Sequence, residues 1–169
     1  MRSKSYKTEN ETGKGKTKKV TVKNKAKSSP MELPITYRGV VHPWQCDVMG
    51  HMNVVYYASK FDDAAWQFLS MLGIDAAYFE KTRCGVAALE QHITYVSELH
   101  AGATVTVRSG LIELTEKVVR IRHEMRNNST GGLSAAMILT IVHFDTRRRK
   151  SCPFPQNVHA RAQEYIIRE

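Results

Sequence analysis

The hydrophobic rhythm of the chain changes twice. After Pro34 the segment ITYRGVVHP is short and β-branched, and Pro43 closes it, so it reads as a first strand. From Val54 the apolar positions Val54, Val55, Ala58, Phe61, Ala65, Phe68, Leu69 and Leu72 recur at the 3.6-residue period of a helix. Lys60, Asp63, Gln67 and Ser70 fall mainly on the other side. Asn53 is placed as the N-cap and Gly73 as the stop, which predicts a five-turn helix with a wide apolar stripe. A short second helix is expected over residues 76–81. From Arg83 the period becomes two. GVAALEQHITYVSEL, TVTVRSGLIEL and KVVRIRHEM read as antiparallel strands, the last two with one buried face, and LSAAMILTIVHFD as a longer, more apolar one. PQNVHARAQEYIIRE is expected to form a C-terminal helix. Strand, long helix, then four strands on short connections is an α+β order: a curled antiparallel sheet wrapped around one long central helix.

Charge alters this picture only at the N-terminus. Residues 1–29 carry ten Lys/Arg against Glu9 and Glu11, whereas the rest of the chain has fifteen basic and fourteen acidic residues. The two domains expected are therefore a disordered basic tail, 1–30, and one folded domain, 31–169. The tail's GKGKT lacks the first glycine and the preceding strand of a phosphate-binding loop. Neither a secretory signal core nor a membrane span is read in the chain, and no specific nucleic-acid partner is assigned. Cys46, Cys84 and Cys152 are odd in number and form no C-x-x-C pair, which argues against a disulfide scaffold or zinc ribbon and fits a cytoplasmic setting. His42, Asp47 and His51 lack metal-ligand spacing, so no metal is expected.

The densest cluster of polar groups stands at the mouth of the long helix. QCDVMGHMNVVYY brings Asp47, Gly50, His51 and Asn53 into seven residues. An ordinary helix cap explains Asn53. Asp47 reads either as a turn or cap acid or as a reactive carboxylate, and His51 either as a structural hydrogen bond to the turn or as a supporting group. A carboxylate beside helix N–H groups that lack intrahelical partners supplies both a base or nucleophile and a positive dipole.

The pattern Asp47-x-x-Gly50-His51-x-Asn53, with Tyr57 and Phe61-Asp62 further along, resembles the hot-dog-fold acyl-CoA thioesterases, in particular the 4-hydroxybenzoyl-CoA thioesterase type. ITYVSELHAG (93–102) and the closing RRKSCPFP strengthen the likeness, which covers about residues 35–157. The resemblance implies hydrolysis of an acyl-CoA to a carboxylic acid and free CoA, with CoA part of the substrate and no other cofactor. It implies a homodimer or homotetramer with its sites at the dimer interface. Asp47 is then the catalytic carboxylate, nucleophile or general base, His51 its support, and the backbone N–H near Val54 the carbonyl donor. Gly50, Asn53, Tyr57 and Phe61 are expected to bind substrate, and Arg147, Arg148, Arg149 and Lys150 to meet CoA phosphates. At least one of Asp62 and Asp63 is read as solvated, the other being open to the interface, and Glu90 and Glu98 are read as strand acids facing water. Two other readings remain open at this point: a non-catalytic acyl-thioester or protein-binding module, and a hot-dog hydratase/dehydratase.

Overall fold

The computed structural model describes residues 32–167. The expectation of a disordered tail over 1–30 lies outside those residues. Strand β1 (Ile35–Val40) is followed by a single 3₁₀ turn (Pro43–Gln45), the long helix α1 (Val54–Met71) and the short α2 (Ala76–Thr82). Four strands come next: β2 (Cys84–Tyr95), β3 (Thr104–Leu114), β4 (Val118–Asn127) and β5 (Leu133–Asp145). A two-residue β6 (Lys150–Ser151) and a helix α3 (Gln156–Ala162) complete the domain. The sheet runs β1-β3-β4-β5-β2, antiparallel throughout, with β6 pairing at the end of β5.

Alternation dictates which face of this sheet is buried. On β3 and β4, Val105, Val107, Leu111, Val119, Ile121 and Met125 are all fully buried, as are Ser109 and His123 in the same inward phase, while Thr106, Arg108, Ile112, Arg120, Arg122 and Glu124 between them are more accessible. Register breaks at Ala88/Glu90 and Leu111/Glu113 bend the strands and curl the sheet around α1. The helix answers with Tyr57, Phe61, Ala64, Ala65, Phe68 and Leu69, buried at three- and four-residue spacings. Each large side chain so enclosed contributes about 1.5–3 kcal/mol. The helix ends where expected. Gly73, at φ +85°, lets the Ile74 N–H reach Leu69 O (2.9 Å) and its own N–H reach Ser70 O (2.9 Å), which satisfies two terminal carbonyls.

Three elements differ from the sequence reading. Lys60 is buried, only 4% exposed, although its charge placed it on the outer side. Its position, three residues after Tyr57, lies within the inward stripe. The buried ammonium is accommodated because Nζ donates to Tyr37 Oη and Val40 O, both at 3.2 Å, and lies over the Tyr37 ring. Val54 and Val55, counted in the apolar stripe, are 55% and 65% exposed at the helix mouth. The C-terminal helix is shorter than the pattern implied. After Ala162 the chain tightens into a 3₁₀ turn, and Ile166 and Ile167 lie beside Leu111, with Ile167 N–H donating to Leu111 O (2.8 Å).

One polar chain crosses the core. Thr36 Oγ1 and Ser109 Oγ are 2.6 Å apart, and Ser109 Oγ is 2.6 Å from His123 Nδ1. His123 is fully buried and its Nε2 has no partner among the described residues. Burial therefore depresses its imidazole from 6.5 to about 4. Above pH 6.5 the ring is neutral in both states. As the pH falls, the unfolded chain takes up a proton that the folded one refuses until about pH 4, so stability is lost across that window. We expect wild type to lose up to roughly 3 kcal/mol relative to His123→Gln between those limits. Chemical denaturation across the pH range would test this; parallel curves for the two proteins would contradict it.

Candidate active site

The turn carrying Asp47 is built from backbone bonds before any side chain matters. The Gln45 carbonyl accepts from Asn53 N–H (2.9 Å), Cys46 and Met52 form a one-residue antiparallel bridge, and Asp47 N–H donates to His51 O (3.1 Å). Met52 N–H in turn donates to Leu99 O (2.7 Å), which ties the loop to the chain leaving β2. Between these ties the backbone reverses over Asp47–Gly50, with Gly50 N–H donating to Asp47 O (3.0 Å). Gly50 sits at φ +83°, a conformation that costs any other common residue more. His100 Nδ1 lies 3.0 Å from the Gly50 carbonyl and fastens the turn from the other side.

Within this frame Asp47 Oδ1 accepts from Met49 N–H (2.9 Å), while Oδ2 has no hydrogen-bond partner among the described residues. The carboxylate is anchored by one oxygen with the other left over. His51 stands between two acids: Nδ1 is 3.8 Å from Asp47 Oδ1, and Nε2 is 3.8 Å from Glu98 Oε1. These distances suit charge attraction and exceed hydrogen-bond reach.

The helix start completes the arrangement. Asn53 caps α1 as expected, its Oδ1 accepting from Val55 N–H (3.1 Å) and its carbonyl from Tyr56 N–H (3.0 Å). Of the first three helical N–H groups, Val54 alone has no acceptor among the described residues. An N–H of this kind at the positive end of a helix suits a developing oxyanion.

Asp47, His51, Val54 and Tyr57 line one cleft of about 230 Å³, together with Met52 and Tyr95–Glu98. Tyr57 and Tyr95 meet edge to face, with centroids 5.2 Å apart. Burial above all keeps the Tyr57 phenol above its ordinary pKa, with Tyr95 and Glu98 pushing the same way against a Leu99 backbone bond. A larger concavity of about 670 Å³ lies on the outer sheet face, around His92, Arg120, Arg122 and Ile138. It contains neither a carboxylate nor a helix terminus, so the smaller cleft is the better chemical site.

Not every expected residue gathers there. Phe61 is fully buried against His123 in the core and lines no part of the cleft. Arg147, Arg148, Arg149 and Lys150 lie at the β5–β6 turn, where Asp145 Oδ1 accepts from the Arg147 and Arg148 N–H groups. Because Cys84 pairs with Asp145 and Tyr95 with Ala135, that turn stands a β2 length from the cleft, roughly 35 Å. β5 is moreover interior to the sheet, and β2 is the edge strand. Asp62, Asp63 and Glu90 are exposed, as read. Glu98 is also solvent-accessible, yet it borders the cleft beside His51, a role that its apparent strand setting concealed. Its place in the ITYVSELHAG segment was the available signal. Burial and neighbouring Cys84 push the Cys152 thiol up to about 11, and it stands at the other end of β2 from the cleft.

Residues 41–162 match the thioesterase-like superfamily. The betainyl-CoA thioesterase of Pseudomonas aeruginosa is 27% identical over 128 residues, covering 76% of this chain and 80% of that protein. The L-carnitine dehydrogenase/betainyl-CoA thioesterase of Agrobacterium fabrum is 29% identical over 123 residues, covering 70% of this chain but 25% of that protein. The chain thus spans about a quarter of that relative's length. Among solved structures, a hypothetical protein of Staphylococcus aureus in complex with CoA superposes with a TM-score of 0.74 at 22% identity, covering 82% of this chain and 87% of that one. A 1,4-dihydroxy-2-naphthoyl-CoA thioesterase from Synechocystis gives 0.68 at 16% identity, covering 76% of this chain and 95% of that one. At such identities the structural likeness establishes the architecture, while the family match extends over most of the sequence. The chain belongs to the thioesterase-like superfamily and has its hot-dog fold.

Proposed function

We propose that this thioester hydrolase cleaves a small acyl-CoA to a carboxylic acid and free CoA, with Asp47 as its carboxylate and the Val54 N–H as its carbonyl donor. The observation that carries the reading is their meeting in one cleft: an acid held by one oxygen, beside a helix N–H with no acceptor. A thioester is already an activated acyl group, so these two groups suffice, and CoA is needed only as part of the substrate. Asp47 either attacks the carbonyl carbon or takes a proton from the attacking water. In both routes negative charge gathers on the carbonyl oxygen, where a preorganised donor contributes about 3–4 kcal/mol. The thiolate of CoA then leaves and takes up a proton; on the first route water next hydrolyses the Asp47–acyl anhydride, which releases the carboxylic acid and restores the carboxylate. His51, between Asp47 and Glu98, is placed to orient water or hold charge balance.

For the acyl group we favour a short cationic one of the betainyl type. The cleft is small, two tyrosine rings form part of its wall, Asp47 and Glu98 supply negative charge, and no Lys or Arg lines it. A quaternary ammonium against such rings gains about 0.5–2 kcal/mol. The relatives named for betainyl-CoA support the same choice.

The edge strand bears on assembly. β2 is twelve residues long and exposed over most of its length, with Leu89 62% and Tyr95 48% exposed. A long unpaired edge of this kind invites a second strand. Two copies joined antiparallel along β2 bring the partner subunit's Arg147, Arg148, Arg149 and Lys150 to the Tyr95 end, beside the cleft. That is where the phosphates of CoA require positive charge. In that pairing the basic turn, remote from the cleft of its own subunit, would serve the cleft of the other.

Three outcomes are expected. Asp47→Asn keeps the Met49 N–H bond, so the fold and acyl-CoA binding persist while kcat falls about 10²–10⁴-fold; undiminished CoA release would remove Asp47 from the chemistry. Tyr95→Ala raises KM for betainyl-CoA about five-fold more than for a neutral acyl-CoA of equal length, and equal effects on both would refute the cationic reading. Leu89→Arg shifts sedimentation to the monomer with loss of turnover, whereas an active monomer would contradict the shared site.

A further inference from the structure

At the opposite end of β2 from the cleft, three side chains converge that the reaction does not use. Cys84 opens β2, His143 lies near the end of β5, and Cys152 follows β6. Their ligand-capable atoms all lie within 4.8 Å of one another. The Cys84 and Cys152 sulfurs are 3.9 Å apart, and Cys152 Sγ is 3.4 Å from His143 Nδ1. We propose that Cys84, Cys152 and His143 Nδ1 form a binding site for a thiophilic divalent cation, zinc above all, that clips the edge strand to the interior of the sheet.

The spacing is the first argument. In a tetrahedral site with Zn–S about 2.3 Å and Zn–N about 2.0–2.1 Å, neighbouring sulfurs stand about 3.8 Å apart and sulfur and nitrogen about 3.5 Å. The Cys84–Cys152 and Cys152–His143 distances need only small adjustment to match, while Cys84 Sγ and the imidazole, within 4.8 Å of each other, close further around the ion. A disulfide would require the two sulfurs to close to about 2.05 Å.

The surroundings of His143 are the second. The ring is buried, stacked on Phe154 with centroids 4.6 Å apart, and its Nε2 is 2.8 Å from Tyr78 Oη. With the proton on Nε2, the imidazole donates to Tyr78 and presents the Nδ1 lone pair to the sulfurs. Metal-binding histidines are commonly oriented by such an outer hydrogen bond. The competing tautomer donates Nδ1–H to the Cys152 carbonyl, 3.0 Å away, and the cation must displace that bond. Binding releases one proton from each thiol, so two thiolates neutralise the dication. Both cysteines are half-buried, which leaves a fourth position for water. Asp145 is nearby, but its Oδ1 is occupied by the Arg147 and Arg148 N–H groups.

This site was not legible in the sequence, where the cysteines are 68 residues apart and show no paired spacing. Strand pairing makes it: Cys84 stands opposite Asp145, and β6 returns along β5 to deliver Cys152 beside His143. The inference is independent of the thioesterase reading, because it concerns the far end of the domain and is tested without turnover.

The test uses the full chain, reduced and stripped with chelator, then titrated with cobalt(II). We expect thiolate-to-cobalt charge-transfer absorption and tetrahedral d–d bands that saturate at one ion per chain and vanish on adding zinc. Cys84→Ser and Cys152→Ser should each weaken binding at least ten-fold, Cys46→Ser should not, and zinc should raise the Tm of the reduced wild type. Absence of the charge-transfer band in reduced wild type would overturn the proposal. A band that survives both serine substitutions would do the same, since the ion would then sit elsewhere.

Discussion

The burial of α1 in the curled sheet is the constraint on which the rest depends. Its inward stripe from Tyr57 to Leu72 meets the fully buried residues of β3 and β4 in one core. With helix and strands locked together, the start of α1 can occupy only one place relative to the end of β2. The Asp47 turn is then held between two fixed bodies, fastened to the helix through Asn53 and to the segment after β2 through Leu99 and His100. Energy spent on packing thus becomes precision at the cleft. Lys60 belongs to the same logic: a charge enters the stripe because the β1 end supplies two oxygens and a ring to receive it.

The chemistry asks little more of the fold. A capped helix ordinarily satisfies its first N–H groups with side chains or water. Here the cap serves Val55 and Tyr56 and passes over Val54, while the adjoining turn holds an acid by a single oxygen. Local rules of capping and turn formation therefore create the donor and the carboxylate side by side.

How much of this could be read beforehand depended on whether the signal was local. The helix from Val54, its Asn53 cap and its Gly73 stop were legible because periodicity and capping act within a few residues. The order of the four long strands was legible from alternation and turn residues. An apolar helical position such as Phe61 does not reveal whether it borders a cavity or faces the core. The approach of Glu98 to His51 depends on how the chain turns after Tyr95, which no local pattern carries. At Lys60 the charge points outward in the sequence while the helical phase points inward, and the phase wins. The meeting of Cys84, His143 and Cys152 depends wholly on strand register and left no trace in spacing.

The proposed contact at the centre of the reaction is the Val54 N–H on a thioester carbonyl lying beside Asp47. Difference infrared spectroscopy of an acyl-CoA with an isotope-labelled carbonyl, bound to Asp47→Asn, reads that contact directly. The carbonyl stretch should move to lower frequency than in solution, as a hydrogen-bonded and polarised thioester requires. A bound substrate whose stretch stays at its solution value would contradict the account.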